Sequence, residues 1–308
     1  MVKLYDVLSC KDLDKEEFLH VLKKASEMEC LVSKKGKLNL LEGKIVTMAF
    51  FEPSTRTRLS FETAAHRMGA DVVGFSSTES TSVKKGESFE DTIKTIDQYS
   101  DVIVIRRADA GSAKRAAEVA SAPVINAGDG PNEHPTQAML DLYTIMKEKG
   151  TIDGLTIGLI GDLKHARVMH SLAHALSNFN VKLYLLSPEF LKQPPEVMDH
   201  LKAKNVRFEE VSALNDEIIK DLDVLYTVRV QRERFPSEED YLKARGSYII
   251  TPNLLKKARN DLIVLHPLPR REELPPEMDD TPYARYFEQA RNGIYARMAL
   301  LGVVARVL

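Results

Sequence analysis

Short apolar runs alternate with stretches of helical periodicity along most of the chain, a rhythm that predicts a parallel α/β fold. The first helical stretch opens at Asp14, whose carboxylate can cap it while Glu17 answers three residues on. Phe18, Val21, Leu22 and Ala25 share one face, and Gly36 lies past the end. Residues 45–51 read as a strand, 55–68 as a helix that Gly69 can end, and 72–75 as a second strand. The polar segment 76–87 is expected as an exposed loop before Ser88, with Asp91 three residues on, opens another helix. Strands follow at 102–105 and 124–126, and Pro135 suits the first position of a helix running to about Lys149.

Residues 150–154 look like a domain boundary, because the rhythm then restarts with strands at 155–160, 182–186, 206–208, 224–228 and 262–265. The expected fold is therefore two doubly wound α/β domains, 1–150 and 151–284, each with a central parallel sheet flanked by helices. A last helical stretch, 285–308, is expected to pack back on the first domain.

Composition narrows the function more than the fold. The 308 residues suit about two domains. Forty-three Lys plus Arg against 45 Asp plus Glu give a net charge of −2, without the bulk basic character of a nucleic-acid binder. With 44% hydrophobic residues the chain can bury cores, and it has no apolar run of the length a membrane span needs. Cys10 and Cys30 offer neither a disulfide framework nor a cysteine zinc site, so a cytoplasmic protein without metal or cofactor is expected.

Many cations fall where strands end: Arg56 and Arg58, Arg106 and Arg107, Arg167, Arg229, Arg232 and Arg234, Arg270 and Arg271. Open α/β sheets bind ligands outside those ends, so a small polyanion fits. For any single pair, an exposed charged loop is an equally good reading. The strongest segment is Ser54-Thr55-Arg56-Thr57-Arg58, at a strand end turning into a helix N-terminus, where backbone N–H groups and the helix dipole favour an anion. Capping by Ser54 explains one hydroxyl of this segment but not the rest. No Gly-x-x-x-x-Gly-Lys precedes the helix and no Gly-x-Gly-x-x-Gly follows the first strands, which argues against nucleotide chemistry.

Ser-Thr-Arg-Thr-Arg at 54–58 resembles the phosphate motif of the carbamoyltransferase family. The likeness continues through Thr81–Glu87, Asn126-Ala127-Gly128-Asp129-Gly130, His134-Pro135-Thr136-Gln137, Gly161-Asp162-Leu163-Lys164, Arg229–Arg234, His266-Pro267-Leu268-Pro269-Arg270 and 296–301. Pro267 stands where ornithine-specific members typically carry Cys, and Arg229 would repel a cationic substrate. The resemblance is therefore to the branch that uses aspartate. A carbamoyltransferase for another amino acid such as ornithine, and a non-catalytic phosphate-binding subunit, are the alternatives.

The resemblance implies transfer of the carbamoyl group of carbamoyl phosphate to the amine of L-aspartate, in pyrimidine biosynthesis, with carbamoyl phosphate on the first domain and aspartate on the second. By the same likeness Ser54, Thr55, Arg56 and Thr57 hold phosphate. Arg106, His134 and Thr57 polarise the carbonyl, while Gln137 and the carbonyls of Pro267 and Leu268 meet the carbamoyl group. Arg167, Arg229 and Gln231 bind aspartate, and His266 supports the 267–268 carbonyls. Ser82 and Lys85 come from a neighbouring subunit, Lys85 also meeting aspartate, which implies a homotrimer with shared sites. Glu52 and Arg234 match a pair that forms salt bridges on domain closure. Regulation would come through a separate zinc-containing regulatory chain. The sequence departs from the family at His165-Ala166, at Arg107-Ala108 and at Arg271, where Tyr-Gly, His-Pro and Val are common. His20, His66 and His200 are expected to be exposed or structural.

Overall fold

The fold comes from a computed structural model that describes residues 4–78, 81–230, 235, 237–244 and 248–308. The chain divides into two compact units, the first of residues 1–143 and 291–308, the second of 144–290. Each holds one all-parallel sheet, as the sequence rhythm predicts.

The first unit begins with helix α1 (Lys15–Lys35), whose capping box at Asp14 and Glu17 is formed. Its buried face is Phe18, Val21, Leu22, Ala25, Met28 and Val32. Truncating Phe18 to Ala would cost about 3–5 kcal/mol by the usual cavity and transfer terms. Then come β1 (Ile45–Phe50), α2 (Thr55–Met68), β2 (Asp71–Phe75), α3 (Phe89–Asp97), β3 (Val102–Arg107), α4 (Ser112–Val119), β4 (Val124–Asp129) and α5 (Pro135–Lys149). The strand order is β2-β1-β3-β4. Strand β1 is buried from Val46 onward and β4 throughout, the mark of a parallel sheet covered on both faces.

The second unit contains β5 (Thr156–Ile160), α6 (Arg167–Leu176), β6 (Lys182–Leu186), α7 (Pro195–Ala203), β7 (Arg207–Val211), α8 (Asp216–Asp221), β8 (Val224–Thr227), α9 (Glu238–Ala244) and β9 (Ile263–Leu265). Its order is β7-β6-β5-β8-β9. The last helix, α10 (Tyr286–Val304), starts in the second unit, and its residues from 291 belong to the first.

Both sheets reverse their winding once, between β1 and β3 and between β5 and β8. At such a point the flanking connections leave in opposite directions and open a crevice at the carboxyl ends of the strands. The fold thus offers one ligand crevice per unit.

Three local expectations change. The segment 76–87 is not loop throughout, because Ser82–Lys85 forms a 3-10 turn closed by Gly86. Arg106 and Arg107, expected beyond a strand, are the last two residues of β3, and Ala127 to Asp129, beyond the expected strand 124–126, lie in β4. A register shift between Ile105 and Arg107 pairs Arg107 with Asp129, so the extra length is bulged rather than regular strand. Helix α4 had no counterpart in the sequence reading.

Candidate active site

In the first unit the crevice opens where β1 turns into α2. Ser54 is the N-cap of α2, with extended backbone, yet its hydroxyl makes no cap hydrogen bond. The first turn of α2 carries no acidic side chain, so no carboxylate there offsets the positive end of the helix. Thr55 and Arg56 are exposed beside it and Thr57 is buried. Arg58 leaves the anion set by pairing with Glu62 one turn on, at 2.6 Å.

Across the crevice, Arg106 at the end of β3 lies with Nε 2.8 Å from Glu52 Oε1 and donates from Nη1 to Ala127 O at 3.2 Å. Arg107 turns to Asp109 at 2.6 Å and stacks 4.3 Å over the Phe89 ring. Two adjacent arginines of one strand therefore have different work, since successive side chains leave opposite faces of a sheet.

His134 immediately precedes α5 and is almost fully buried. Its Nε2 is 3.4 Å from Thr57 Oγ1 and its Nδ1 3.4 Å from Thr136 Oγ1, which aims the ring at the α2 turn. The loop before it is held by Asp129, whose carboxylate accepts from Gly111 N, Asn132 Nδ2, Glu133 N and Asn126 Nδ2 at 2.9–3.1 Å. Gly130 has φ +56°, and a Cβ there would meet Ala108 O at 2.2 Å, so no other residue fits. Burial pushes the Glu133 carboxyl above its ordinary value, against hydrogen bonds from Ser9 and from Cys10 N.

One turn into α5, Gln137 donates from Nε2 to Asp141 Oδ1 at 2.9 Å. Asp141 has no exposed surface. The sequence reading missed Asp141, although a carboxylate four residues after a glutamine on an otherwise apolar face is a visible signal.

The second crevice lies between β5 and β8. Gly161 follows β5 with φ +115°, and a Cβ there would sit 2.6 Å from Val228 O. Buried Asp162 accepts from His165 N at 2.9 Å, and its Oδ1 is 3.0 Å from His165 Nδ1. His170 Nε2 lies 3.1 Å from the carbonyls of Leu163 and Lys164, bracing the same loop from below. That loop delivers Arg167, half-buried, as the first residue of α6, again with no acidic residue in the first turn. Arg229, also half-buried, follows β8 by two residues. Arg167 and Arg229 thus rise from the two strands that flank the winding reversal.

The segment after β9 is built around His266. Leu268 N donates to its Nδ1 at 2.8 Å, so the proton resides on Nε2, which faces Glu273 Oε1 at 2.9 Å. Burial would raise the Glu273 carboxyl, but His266 and the Arg271 N–H together hold it below the ordinary carboxylate value. Leu268 has φ +59° and a cis bond to Pro269. Arg270 closes the segment by binding Asp279 through Nη2 at 2.7 Å and Tyr286 Oη at 3.1 Å.

Ser82 and Lys85 are exposed on their 3-10 turn. Gln231, Arg232 and Arg234 lie outside the described residues. His66 is exposed, His20 is half-buried, and His200 packs edge-on against His174 with ring centroids 4.6 Å apart. The departures from the family pattern make their own contacts: His165 packs against Phe235 at 5.3 Å, and Arg107 against Phe89 as above. Among the described residues no group of three or more His, Cys, Asp or Glu is placed to hold a metal ion, and no helix is long and apolar enough to cross a membrane.

Two doubly wound units, each with cations beside its winding reversal, define a class that comparison with known proteins resolves. Residues 5–147 match the aspartate/ornithine carbamoyltransferase carbamoyl-P binding domain and residues 153–304 match the Asp/Orn binding domain, so the chain belongs to the aspartate/ornithine carbamoyltransferase family. A relative from Thermococcus kodakarensis named aspartate carbamoyltransferase catalytic subunit is 57% identical over 98% of this chain and 97% of its own length. The catalytic subunit of M. jannaschii aspartate transcarbamoylase aligns at 48% identity and TM-score 0.91, covering 98% of both chains. An aspartate transcarbamoylase from Trypanosoma cruzi, solved with carbamoyl phosphate and aspartate, aligns at 40% identity and TM-score 0.93, covering 98% of this chain and 97% of that one.

Proposed function

We propose that the chain transfers the carbamoyl group of carbamoyl phosphate to the amine of L-aspartate, giving N-carbamoyl-L-aspartate and phosphate for pyrimidine biosynthesis. The observation that carries this reading is the pairing of an unneutralised helix N-terminus at one winding reversal with Arg167 and Arg229 at the other. It appears in a chain that aligns along nearly its whole length with a relative solved with both substrates.

Carbamoyl phosphate belongs to the domain of residues 1–150, with 285–308 packed against it, and aspartate to the domain of 151–284. Ser54, Thr55, Arg56 and Thr57 take the phosphate on the α2 N-terminus, where backbone N–H groups and a guanidinium bind the dianion. Thr57, Arg106 and His134 face the carbonyl oxygen and stabilise its charge as the amine attacks. Gln137 binds the carbamoyl amide, joined by the carbonyls of Pro267 and Leu268. Arg167, Arg229 and Gln231 hold the aspartate carboxylates, which places its amine for in-line attack and removes much of the entropic barrier.

Ser82 and Lys85 act on a neighbouring subunit's site, which makes the working form a homotrimer. Glu52 and Arg234 join on closure, and a zinc-containing regulatory chain supplies any control. Two free cysteines, Cys10 buried and Cys30 exposed, suit a reducing cytoplasm.

Incubating the purified chain with carbamoyl phosphate and either aspartate or ornithine tests the reading. Carbamoylation of aspartate is expected; ornithine alone, or neither, overturns it.

A further inference from the structure

Gln137 can do its proposed work only in one orientation of its amide. A carbamoyl group differs from an acetyl group by presenting an NH2 where the other presents a methyl. To tell them apart the site must offer an acceptor there, and the side chain of Gln137 carries both an acceptor and a donor end. Two atoms that scatter alike can exchange places at no steric cost, so something must settle which end faces the ligand.

Asp141 settles it. Its Oδ1 receives Gln137 Nε2 at 2.9 Å, and an ionised carboxylate can only accept. The donor end of Gln137 is thereby committed inward, which leaves Oε1 as the end that can accept. Asp141 itself is completely buried, where a carboxylate stays ionised only with a compensating charge.

A cation that feels this carboxylate is Arg297 of α10, a guanidinium 3% exposed whose charged form Asp141 supports against burial, which pulls it down to about 10. Arg297 is fixed independently: its Nη1 donates to Ser60 Oγ at 3.0 Å and its guanidinium sits 5.1 Å over the Phe61 ring. Ser60 and Phe61 belong to α2, the helix whose N-terminus carries Ser54 to Thr57. Arg297 and the phosphate turn therefore share one rigid element.

We propose that buried Asp141 is a positioning residue that locks Gln137 with its carbonyl as acceptor and so makes the site select a carbamoyl over an acetyl group. This rests on the reading of Gln137 as the carbamoyl-amide ligand. A merely structural Asp141 would support the binding of every phosphate ligand alike.

The test is calorimetric titration of the purified chain with carbamoyl phosphate, acetyl phosphate and inorganic phosphate. Asp141→Asn gives Gln137 a neighbour that can donate or accept, so the preference for carbamoyl over acetyl phosphate should fall by about tenfold or more while inorganic phosphate binds nearly as before. Asp141→Asn combined with Arg297→Gln removes both buried charges and should show the same loss, which covers the case in which the single variant does not fold. Asp141→Glu, still acceptor-only, should retain more of the preference than Asp141→Asn. A preference unchanged in the Asn variants, or equal weakening of all three ligands, overturns the proposal. Gln137→Leu separates the two layers: if it too leaves the preference intact, the role of Gln137 is what fails.

Discussion

Glu52 Oε1 and Arg106 Nε lie 2.8 Å apart across the winding reversal of the first sheet, one just beyond β1 and the other at the end of β3. Both side chains are largely sheltered, with relative exposures of 25% and 15%. The pair gives Arg106 a defined position, and it occupies the carboxylate that the family resemblance assigns to closure. A carboxylate has two oxygens, so serving both partners does not by itself require an exchange.

Glu52→Ala removes both contacts at once. We expect turnover to fall by about 10- to 100-fold, the scale of a misplaced catalytic group, with the KM for carbamoyl phosphate moving far less. Steady-state kinetics with both substrates checks this, and equal wild-type and variant turnover would sink the idea.

Thr57→Val keeps the shape of a buried side chain and deletes the hydroxyl that lies 3.4 Å from His134 Nε2. Because that donor is assigned to the developing oxyanion, kcat should drop by about 100-fold or more. Melting temperature should barely change, and a large drop in stability with normal kcat would reassign Thr57 to packing.

Ser54 and Ser88 are both helix N-caps, and they should respond oppositely. Ser88 Oγ accepts from Asp91 N at 3.1 Å, so Ser88→Ala should cost about 1 kcal/mol in denaturant unfolding. Ser54 makes no such bond, so Ser54→Ala should cost well under that while weakening phosphate-ligand binding. Equal stability losses would show that the Ser54 hydroxyl does cap α2.

Glu273 carries a pH signature. Its folded-state value lies below the ordinary 4.5, so its contribution to stability is complete above 4.5 and disappears as the pH falls through the folded value. Thermal melts at successive pH values should show part of the acid loss of wild type missing in Glu273→Gln. Parallel profiles would remove the His266–Glu273 contact from the stability of this segment.

What could be read beforehand follows a physical divide. The rhythm of apolar runs, Asp14 with Glu17, Pro135 and the glycines at 36 and 69 are local signals, and they placed α1, α2 and α5 where the structure has them. Arg167 and Arg229 were visible because they follow strands. The fate of the cations was less visible: Arg58 and Arg107 meet Glu62 and Asp109 at short spacings that only became meaningful once the helix and strand were placed, whereas Arg270 meets Asp279 nine residues on, which only folding shows. Arg297 escaped for a related reason: Ser60, to which it donates, lies far back in the chain, and no window of sequence holds both. Asp141 was within reach, four residues after Gln137 on one helix.

The division of the chain into 1–143 with 291–308, and 144–290 between, has a bearing on synthesis. On a ribosome the middle unit is made as one uninterrupted stretch and has all its residues before 291–308 are added. The first unit must wait for its last eighteen, among them the fully buried Ala296, Ala299, Leu300 and Leu301. Synthesis therefore runs against sequence order here: the unit begun first is the one completed last, because residues 291–308 reach it only after the whole of 144–290 has been made.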